Sequence, residues 1–185
     1  MSTRGFSVFE TAIGHCGIAW GEQGLMGVQL PEADGALTRV RMQHRFPSVS
    51  EGVPPPKVED AIRDLVALLC GVPNKPADLS NIELDMEGVP LFYQRVYTAT
   101  RSIAPGTTVT YGEIAQRIGE PRSAQAVGQA LGHNPFAPVV PCHRVLAAGG
   151  RAGGFSASGG IATKLRLLQI ERASFIGPGL FDDHP

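Results

Sequence analysis

Glycine and proline interrupt this chain so often that its secondary structure has to consist of short elements. The 185 residues include 23 glycines and 15 prolines. In the first part of the chain, apolar-rich runs at residues 6–10, 17–20 and 25–30 are separated by glycines, and Pro31 closes the last run. This pattern is typical of a strand meander. A small sheet is therefore expected at the start of the chain.

Helical patterns follow the predicted sheet. Residues 36–46 form a weak helical candidate, and residues 58–69 form a clear one, with apolar side chains on one face after three consecutive prolines. Proline is favoured in the first turn of a helix, where its missing N–H would have no partner in any case. We expect Gly71 to end this helix and Cys70 to lie in the core. Residues 81–84 are a further strand candidate.

Residues 74–88 are typical of a linker, so we place a domain boundary near Glu87, and charge also differs between the two halves. Residues 1–87 carry 7 Lys and Arg against 12 Asp and Glu, whereas residues 88–172 carry 9 against 3. The basic second half indicates a polyanion partner for that half, although a chance asymmetry on solvated surfaces would explain the same counts. We expect one domain at 1–87, a second at 88–172, and a tail at 173–185.

Cysteine usage and hydropathy exclude several classes of protein. The three cysteines are odd in number and have no CxxC spacing, which argues against a disulfide framework and a zinc ribbon. His15 and Cys16 are adjacent but isolated from other ligand types, so no metal site is expected there. No apolar run approaches the roughly 20 residues of a membrane helix. The start of the chain also lacks the apolar stretch of a signal peptide. We therefore expect a cytoplasmic protein with no membrane contact.

The second half contains a candidate helix-turn-helix. Thr110 and Glu113 fit a capping box, in which a hydroxyl and a carboxylate satisfy the free amides at a helix start. Gly119 is expected to end that helix, and Ser123 to cap a second one that runs to Leu131. Two short helices in a basic region suit a DNA-binding motif. For the motif alone, a packed helix pair with no DNA role is the simpler interpretation.

The second helix of this pair presents a smooth surface. Its side chains are small, with only two long polar ones: Ala124, Ala126, Gly128, Ala130, Gln125 and Gln129. A helix that reads the major groove usually presents arginine, asparagine or glutamine to the base edges. The smooth face instead suits close packing, either against protein or in a narrow groove.

The most specific stretch of the chain is Pro141, Cys142, His143 and Arg144. A thiol attacks carbon as its thiolate, and a nearby histidine is the commonest acceptor of the proton. In an extended chain neighbouring side chains point to opposite sides, so a turn or a bridging water would be needed between Cys142 and His143. A packed core thiol with no chemistry is the alternative.

A third group is needed to orient the imidazole, and Glu171 is the candidate. A helix is predicted over residues 161–172. Its apolar stripe is formed by Ile161, Leu165 and Leu168. A carboxylate on that face is costly to bury unless it pairs with a group such as His143 or Arg144. Alternatively, Glu171 faces solvent at a frayed helix end.

Four segments together resemble one known family. They are TYGEIAQRIG at 110–119, AVGQALGHNP at 126–135, PCHRV at 141–145, and the helix that ends at Glu171. Their order and spacing are similar to those of the O6-alkylguanine-DNA alkyltransferases, also called methylated-DNA-protein-cysteine methyltransferases. The resemblance implies an α/β (α+β) protein. Its ribonuclease-H-like N-terminal domain would be followed by a mostly helical, winged-helix-like domain with a helix-turn-helix.

The resemblance also implies a chemistry. Cys142 would accept a methyl or larger alkyl group from O6 of guanine in DNA, and from O4 of thymine, in one irreversible turnover. His143 would act as base through a water, and Glu171 would hold His143. Asn134 would brace the adjacent turn, while Tyr111 would contact the guanine and supply a proton. No metal and no dissociable cofactor are implied.

The same resemblance implies the DNA contacts. Val145, Ser156 and Phe155 would face the extruded base. The second helix would enter the minor groove of double-stranded DNA and support base flipping. The residues at that contact would be Arg122, Ser123, Ala124, Gln125, Ala126 and Gly128. The protein would act as a monomer in the cytoplasm, associated with the nucleoid when bound to DNA.

This chain departs from the family pattern at three places. Gln125 stands where family members usually carry an arginine that fills the gap left by the flipped base. A neutral amide offers no cation, so weaker flipping is expected. Phe155 replaces a usual tyrosine. Ala157 and Ser158 form a two-residue insertion, which predicts a longer loop over the pocket.

Two other functions compete with alkyl transfer. A lesion sensor would bind and flip the alkylated base without transfer, but relatives of that kind replace the acceptor cysteine, and Cys142 is present. A cysteine hydrolase using Cys142 and His143 would turn over repeatedly and would not need the helix-turn-helix. The number of turnovers per molecule distinguishes the three.

Overall fold

The computed structural model describes residues 4–71, 77 and 79–175. They form a mixed α/β protein, as expected, with six α-helices, five short strands and two 3-10 turns among the described residues. The chain divides into two units, residues 1–89 with 135–140, and residues 90–134 with 141–185. None of the described helices is long and apolar enough to cross a membrane. The functional limits predicted at 87 and 172 stay predictions, and the tail is described only to residue 175.

Three antiparallel strands form the sheet of the first unit. In the order β1-β2-β3 they are β1 (Gly5–Thr11), β2 (Gly14–Gly21) and β3 (Gly24–Gln29). The strand meander predicted from the glycine spacing is confirmed. Gly24 is required at the β2–β3 turn because its φ is +137° and because a Cβ there would lie 2.6 Å from the Glu83 carbonyl oxygen. The strand predicted at 81–84 is reduced to a bridge between Leu25 and Leu84.

Two helices pack on this sheet. They are α1 (Gly35–Arg45), which packs against β2, and α2 (Pro56–Cys70), which packs against β1. The Asp34 side chain caps α1 by accepting a hydrogen bond from the Leu37 amide, and α2 begins with proline as predicted. Phe6 and Met42 are central to the buried core of the sheet and α1. Residues 135–140 join this unit through a hydrogen bond from the Val28 amide to the Pro135 carbonyl.

The second unit is mostly helical. Its helices are α3 (Leu91–Arg101), α4 (Tyr111–Arg117), α5 (Ala124–Gly132) and α6 (Gly160–Ile170), and its parallel strands are β4 (Val109–Thr110) and β5 (Val145–Leu146). Val96 and Ile114 are among the fully buried residues of its core. The sequence does not predict α3, because β-branched residues such as Val96, Thr98 and Thr100 weaken its helical pattern.

The predicted helix-turn-helix consists of α4, a turn and α5. Both hydrogen bonds of the capping box at Thr110 and Glu113 are present, and Gly119 follows the end of α4 with a φ of +78°. The cap predicted for α5 is wrong. Ser123 occupies the N-cap position, but its hydroxyl donates to the Glu120 carbonyl at 2.7 Å, so it stabilises the turn and not the helix start.

Two packing predictions are also wrong. Cys70 is exposed, because it is the last residue of α2 and lies off the face that the leucines of that helix bury. Ile161 is 49% exposed in the first turn of α6, and the buried face of that helix contains Lys164 and Leu168 instead. Residues three and four apart share a face of a helix. Glu171 therefore follows on the same face as Lys164.

Tyr97 anchors α5 from the neighbouring helix α3. Its buried hydroxyl donates to the Ala130 carbonyl at 3.0 Å. We expect Tyr97→Phe to lower the free energy of unfolding by about 1 kcal/mol, the net contribution of one such hydrogen bond. Urea denaturation measures the loss, with Tyr93→Phe on the same helix as the control. An equal loss in both variants would contradict an anchoring role for Tyr97.

Candidate active site

Cys142 begins a buried 3-10 turn, Cys142–Arg144. The Arg144 amide donates to the Pro141 carbonyl at 2.9 Å and closes the turn. Cys142 is 7% exposed, His143 0% and Arg144 5%. The extended conformation, which would have separated the thiol from the imidazole, is therefore not adopted.

Glu171 is the carboxylate that this turn engages. It follows α6 and its side chain is 3% exposed. Nε2 of His143 lies 2.8 Å from its Oε1, and Arg144 donates to both carboxylate oxygens, from Nε at 2.9 Å and from Nη2 at 2.8 Å. The Gly106 amide donates to Oε2 at 3.3 Å. The buried carboxylate thus has both partners considered from the sequence, His143 and Arg144.

The contact with Glu171 determines which nitrogen of His143 can accept a proton. When Nε2–H donates to the carboxylate, the neutral imidazole carries its free lone pair on Nδ1. Nδ1 is buried and has no hydrogen-bond partner within the described part of the chain. Buried polar atoms are normally satisfied by protein or by water. Nδ1 therefore suits a base that acts through a water.

Burial and hydrogen bonds together determine the protonation states of the site. It raises the pKa of the Cys142 thiol, while a hydrogen bond with Asn134 and the charge of Lys164 act in the opposite direction. Burial lowers the pKa of His143, against the effect of Glu171. Burial also opposes ionisation of Glu171, but the hydrogen bonds from its two partners prevail and lower its pKa to about 2. At neutral pH the site therefore holds a carboxylate beside a neutral imidazole.

Lys164 is a buried cation that the sequence analysis misses. Its Nζ donates to the carbonyls of Val145 at 2.6 Å and Gly154 at 3.3 Å, and it lies 5.8 Å from the centroid of the Tyr111 ring. Burial lowers its pKa to about 8. The available signal is its position seven residues before Glu171, which places both on one face of α6.

A cavity of about 540 Å³ lies beside Cys142. Its walls come from α4, α5 and the loop before α6. The lining residues are Tyr111, Ala124, Gln125, Gly128, Leu131, Gly132, Cys142, Gly154, Phe155 and Ser156. The fold therefore brings the thiol, the tyrosine, the smooth helix face and the predicted pocket loop to one opening.

Several predicted site residues lie outside this lining. Val145 is fully buried, and its carbonyl accepts the hydrogen bond from Lys164. Asn134 acts on Cys142 through its side-chain hydrogen bond. Three residues of the predicted DNA contact are also outside the lining: Arg122, Ser123 and Ala126. The substrate and DNA contacts assigned to these residues stay predictions.

Ala157 and Ser158, which the resemblance marks as an insertion in a loop over the pocket, lie immediately before α6. The Gly160 amide donates to the Ala157 carbonyl at 2.9 Å, and the Thr163 hydroxyl donates to the Ser158 carbonyl at 2.7 Å. Neither Ala157 nor Ser158 lines the cavity. The extra residues thus form the turn into the helix, and the preceding residues form the cavity wall.

The adjacent His15 and Cys16 of the first half do not form a second site of this kind. Cys16 is buried 3.8 Å from the Thr11 hydroxyl, and burial raises its thiol pKa to about 12. His15 packs against Gly35. Across the described ranges, no group of three or more His, Cys, Asp or Glu side chains could hold a metal ion. Cys16 is therefore a core thiol.

We expect Glu171→Gln to destabilise the protein in a pH-dependent way. The pKa of Glu171 is lowered from 4.5 to about 2. Its stabilising contribution is therefore complete above pH 4.5 and is lost as the pH falls toward 2. The shift corresponds to roughly 3 kcal/mol at neutral pH. Chemical denaturation at several pH values measures the gap from wild type, and exposed Glu59→Gln is the control. A gap that does not change with pH would contradict this account.

A family model and a sequence relative both match this chain. The family model described as 6-O-methylguanine DNA methyltransferase, DNA binding domain, matches residues 91–173. The methylated-DNA–protein-cysteine methyltransferase of Mycobacterium tuberculosis is 42% identical over 140 residues, which cover 74% of this chain and 81% of that relative.

Solved structures agree with the sequence relatives. The crystal structure of Mycobacterium tuberculosis OGT in complex with DNA has a TM-score of 0.70 and 34% identity, and the match covers 90% of this chain and 92% of that one. The O6-methylguanine-DNA methyltransferase of Pyrococcus kodakaraensis has a TM-score of 0.69 and 28% identity, covering 90% and 98%. The chain described here belongs to the methylated-DNA–protein-cysteine methyltransferase family.

Proposed function

We propose that this protein repairs DNA by moving an alkyl group from O6 of guanine, and from O4 of thymine, onto Sγ of Cys142. The observation that carries the proposal is the environment of this thiol. Cys142 lines a cavity, and the next residue is a histidine held by a buried carboxylate. A thiol that served only core packing would need neither the cavity nor the paired histidine.

His143 acts as the base. The proton of the Cys142 thiol passes through a bridging water to Nδ1, and Nε2 keeps its hydrogen bond to Glu171. The ionised carboxylate then stabilises the imidazolium that forms. Arg144 shares the same carboxylate and keeps it in place.

The transfer is a displacement at the alkyl carbon. The sulfur–carbon bond forms as the bond from carbon to O6 breaks, and the electron pair of that bond leaves with the guanine. Burial raises the pKa of Tyr111, which keeps its phenol protonated and able to donate to the leaving base. The tyrosine regains a proton from solvent. No second thiol is among the described cavity residues to cleave the resulting thioether, so each molecule acts once.

The pocket wall recognises the base by short polar contacts. We assign Ser156 and the Val145 backbone to the base edge, with Phe155 beside them. Ser156 and Phe155 line the cavity, and Gly154 next to them is held by Lys164. Phenylalanine has no hydroxyl, so the pocket offers one donor fewer here than a tyrosine would.

DNA binds along α5 from the minor-groove side. Ala124, Gln125 and Gly128 line the cavity, and small side chains allow a helix to approach a narrow groove closely. Arg122, Ser123 and Ala126 complete the contact, with exposed Arg122 available to a phosphate. The alkylated guanine leaves the stack and enters the cavity, where it meets Cys142.

We assign a different architecture to each half of the chain. We assign a ribonuclease-H-like architecture to residues 1–87 and a winged-helix-like one, with DNA binding and transfer, to residues 88–172, followed by the tail at 173–185. We propose a monomer without a cofactor, because Cys142, His143, Glu171 and Tyr111 together account for each step of the proposed transfer. A substrate within chromosomal DNA favours the cytoplasm, with nucleoid association during binding.

Stoichiometric transfer tests this function. After mixing with duplex DNA that contains O6-methylguanine, mass spectrometry should find one methyl group on the peptide that holds Cys142. Cys142→Ser should bind the duplex and acquire none. Repaired guanine beside unmodified Cys142 would overturn the mechanism. Binding without repair would indicate a lesion sensor, and repeated turnover a hydrolase.

Gln125→Arg should speed repair of duplex DNA. An arginine in the cavity mouth adds a charge-assisted hydrogen bond to the orphaned base, worth about 1 to 2 kcal/mol, or roughly five- to thirtyfold in rate. Single-turnover rates on duplex DNA measure the change. Gln129→Arg is the matched control, because Gln129 lies one turn away, is exposed and does not line the cavity. Equal rates in wild type and Gln125→Arg would show that flipping does not limit repair.

A further inference from the structure

A buried lysine that no step of the proposed transfer uses lies close to the acceptor thiol. The side chain of Lys164 is fully buried. Burying an ammonium is costly unless its charge is compensated. Yet its hydrogen-bond partners among the described residues are two neutral carbonyls, those of Val145 and Gly154. We therefore expect the compensating negative charge within the site.

Among the described residues, Cys142 is the ionisable group whose charge raises the pKa of Lys164. Val145, which accepts the 2.6 Å hydrogen bond from Lys164, directly follows the turn that Cys142 begins. The Tyr111 ring, which lines the cavity with Cys142, has the Lys164 ammonium 5.8 Å from its centroid. The charge of Lys164 opposes the burial that raises the pKa of Cys142, and Cys142 in turn raises the pKa of Lys164.

We propose that Lys164 is a positioning residue for the transfer: its buried ammonium stabilises the Cys142 thiolate, and its contact with the Gly154 carbonyl holds the cavity wall that receives the base. The inference rests on the proposed function, because it concerns the same sulfur and the same cavity. Lys164 does not touch the substrate and acts through its neighbours. Lys164 thus affects both the protonation of the Cys142 sulfur and the structure of the cavity wall.

Within the described part of the chain, three titratable groups face Lys164. Cys142 and His143 belong to the turn, and Tyr111 belongs to α4. A positive charge at this place favours the thiolate over the thiol and the neutral imidazole over the imidazolium. The first effect favours proton removal from Cys142. The second keeps His143 unprotonated before the transfer but makes it a weaker base. Both effects vanish when the Lys164 ammonium loses its proton. Burial lowers the pKa of this ammonium to about 8.

Three variants separate charge from structure. Lys164→Met keeps the length of the side chain without its charge, and Lys164→Arg keeps a charge. Arg166→Met removes a cation from the exposed side of the same helix and is the matched control. For each, the rate at which iodoacetamide modifies Cys142 is followed against pH by mass spectrometry of the Cys142 peptide. The rate of methyl transfer from duplex DNA is measured alongside.

We expect Lys164→Met to raise the thiol titration by about one pH unit and to slow methyl transfer about tenfold at neutral pH. The ratio of the wild-type rate to the variant rate should shrink above pH 8, where Lys164 itself becomes neutral. Arg166→Met should match the wild type. A slower transfer with an unchanged thiol titration would leave Lys164 with a structural role only and overturn the inference.

Lys164→Arg decides the question if Lys164→Met does not fold. A guanidinium keeps its charge above pH 8, so the arginine variant should hold the thiolate where the wild type loses this support. Identical pH profiles for the two proteins would overturn the inference. Failure of the proposed function looks different: wild-type protein would transfer no methyl group from DNA, and the iodoacetamide titration would still report on Lys164.

Discussion

The buried carboxylate of Glu171 is the constraint on which the site depends. It accepts hydrogen bonds from His143, Arg144 and the Gly106 amide, and so joins the end of α6 to the turn at Cys142 and to the segment after α3. A buried charge with one partner removed is far more costly than an exposed one. These contacts therefore hold the turn and the imidazole in place.

Reactivity and burial oppose each other at Cys142. Burial raises the pKa of the Cys142 thiol and makes it a poor nucleophile. Two neighbours act against this effect, since Asn134 supplies a hydrogen bond and Lys164 a positive charge. In the proposed transfer His143 would accept the proton.

Elements with strong local signals were predictable, and elements defined by packing were not. The glycine-separated strands and the capping box of α4 follow from interactions within a few residues. The helix α3 has no such signal, because packing against α4 and α5 outweighs its mixed propensity. The prediction that Ile161 lies on the buried face of α6 is wrong for a related reason. Apolar residues in the first turn of a helix do not always pack in the core.

The strand meander and the helix pair of α4 and α5 can be recognised from the chain alone, because each depends on residue types a few positions apart. Only the folded protein shows that His143 contacts Glu171 across 28 residues of chain, that Lys164 is buried in the same unit, and that a cavity opens at Cys142. Charge pairing and burial depend on which distant segments pack together, and local periodicity carries no information about those partners.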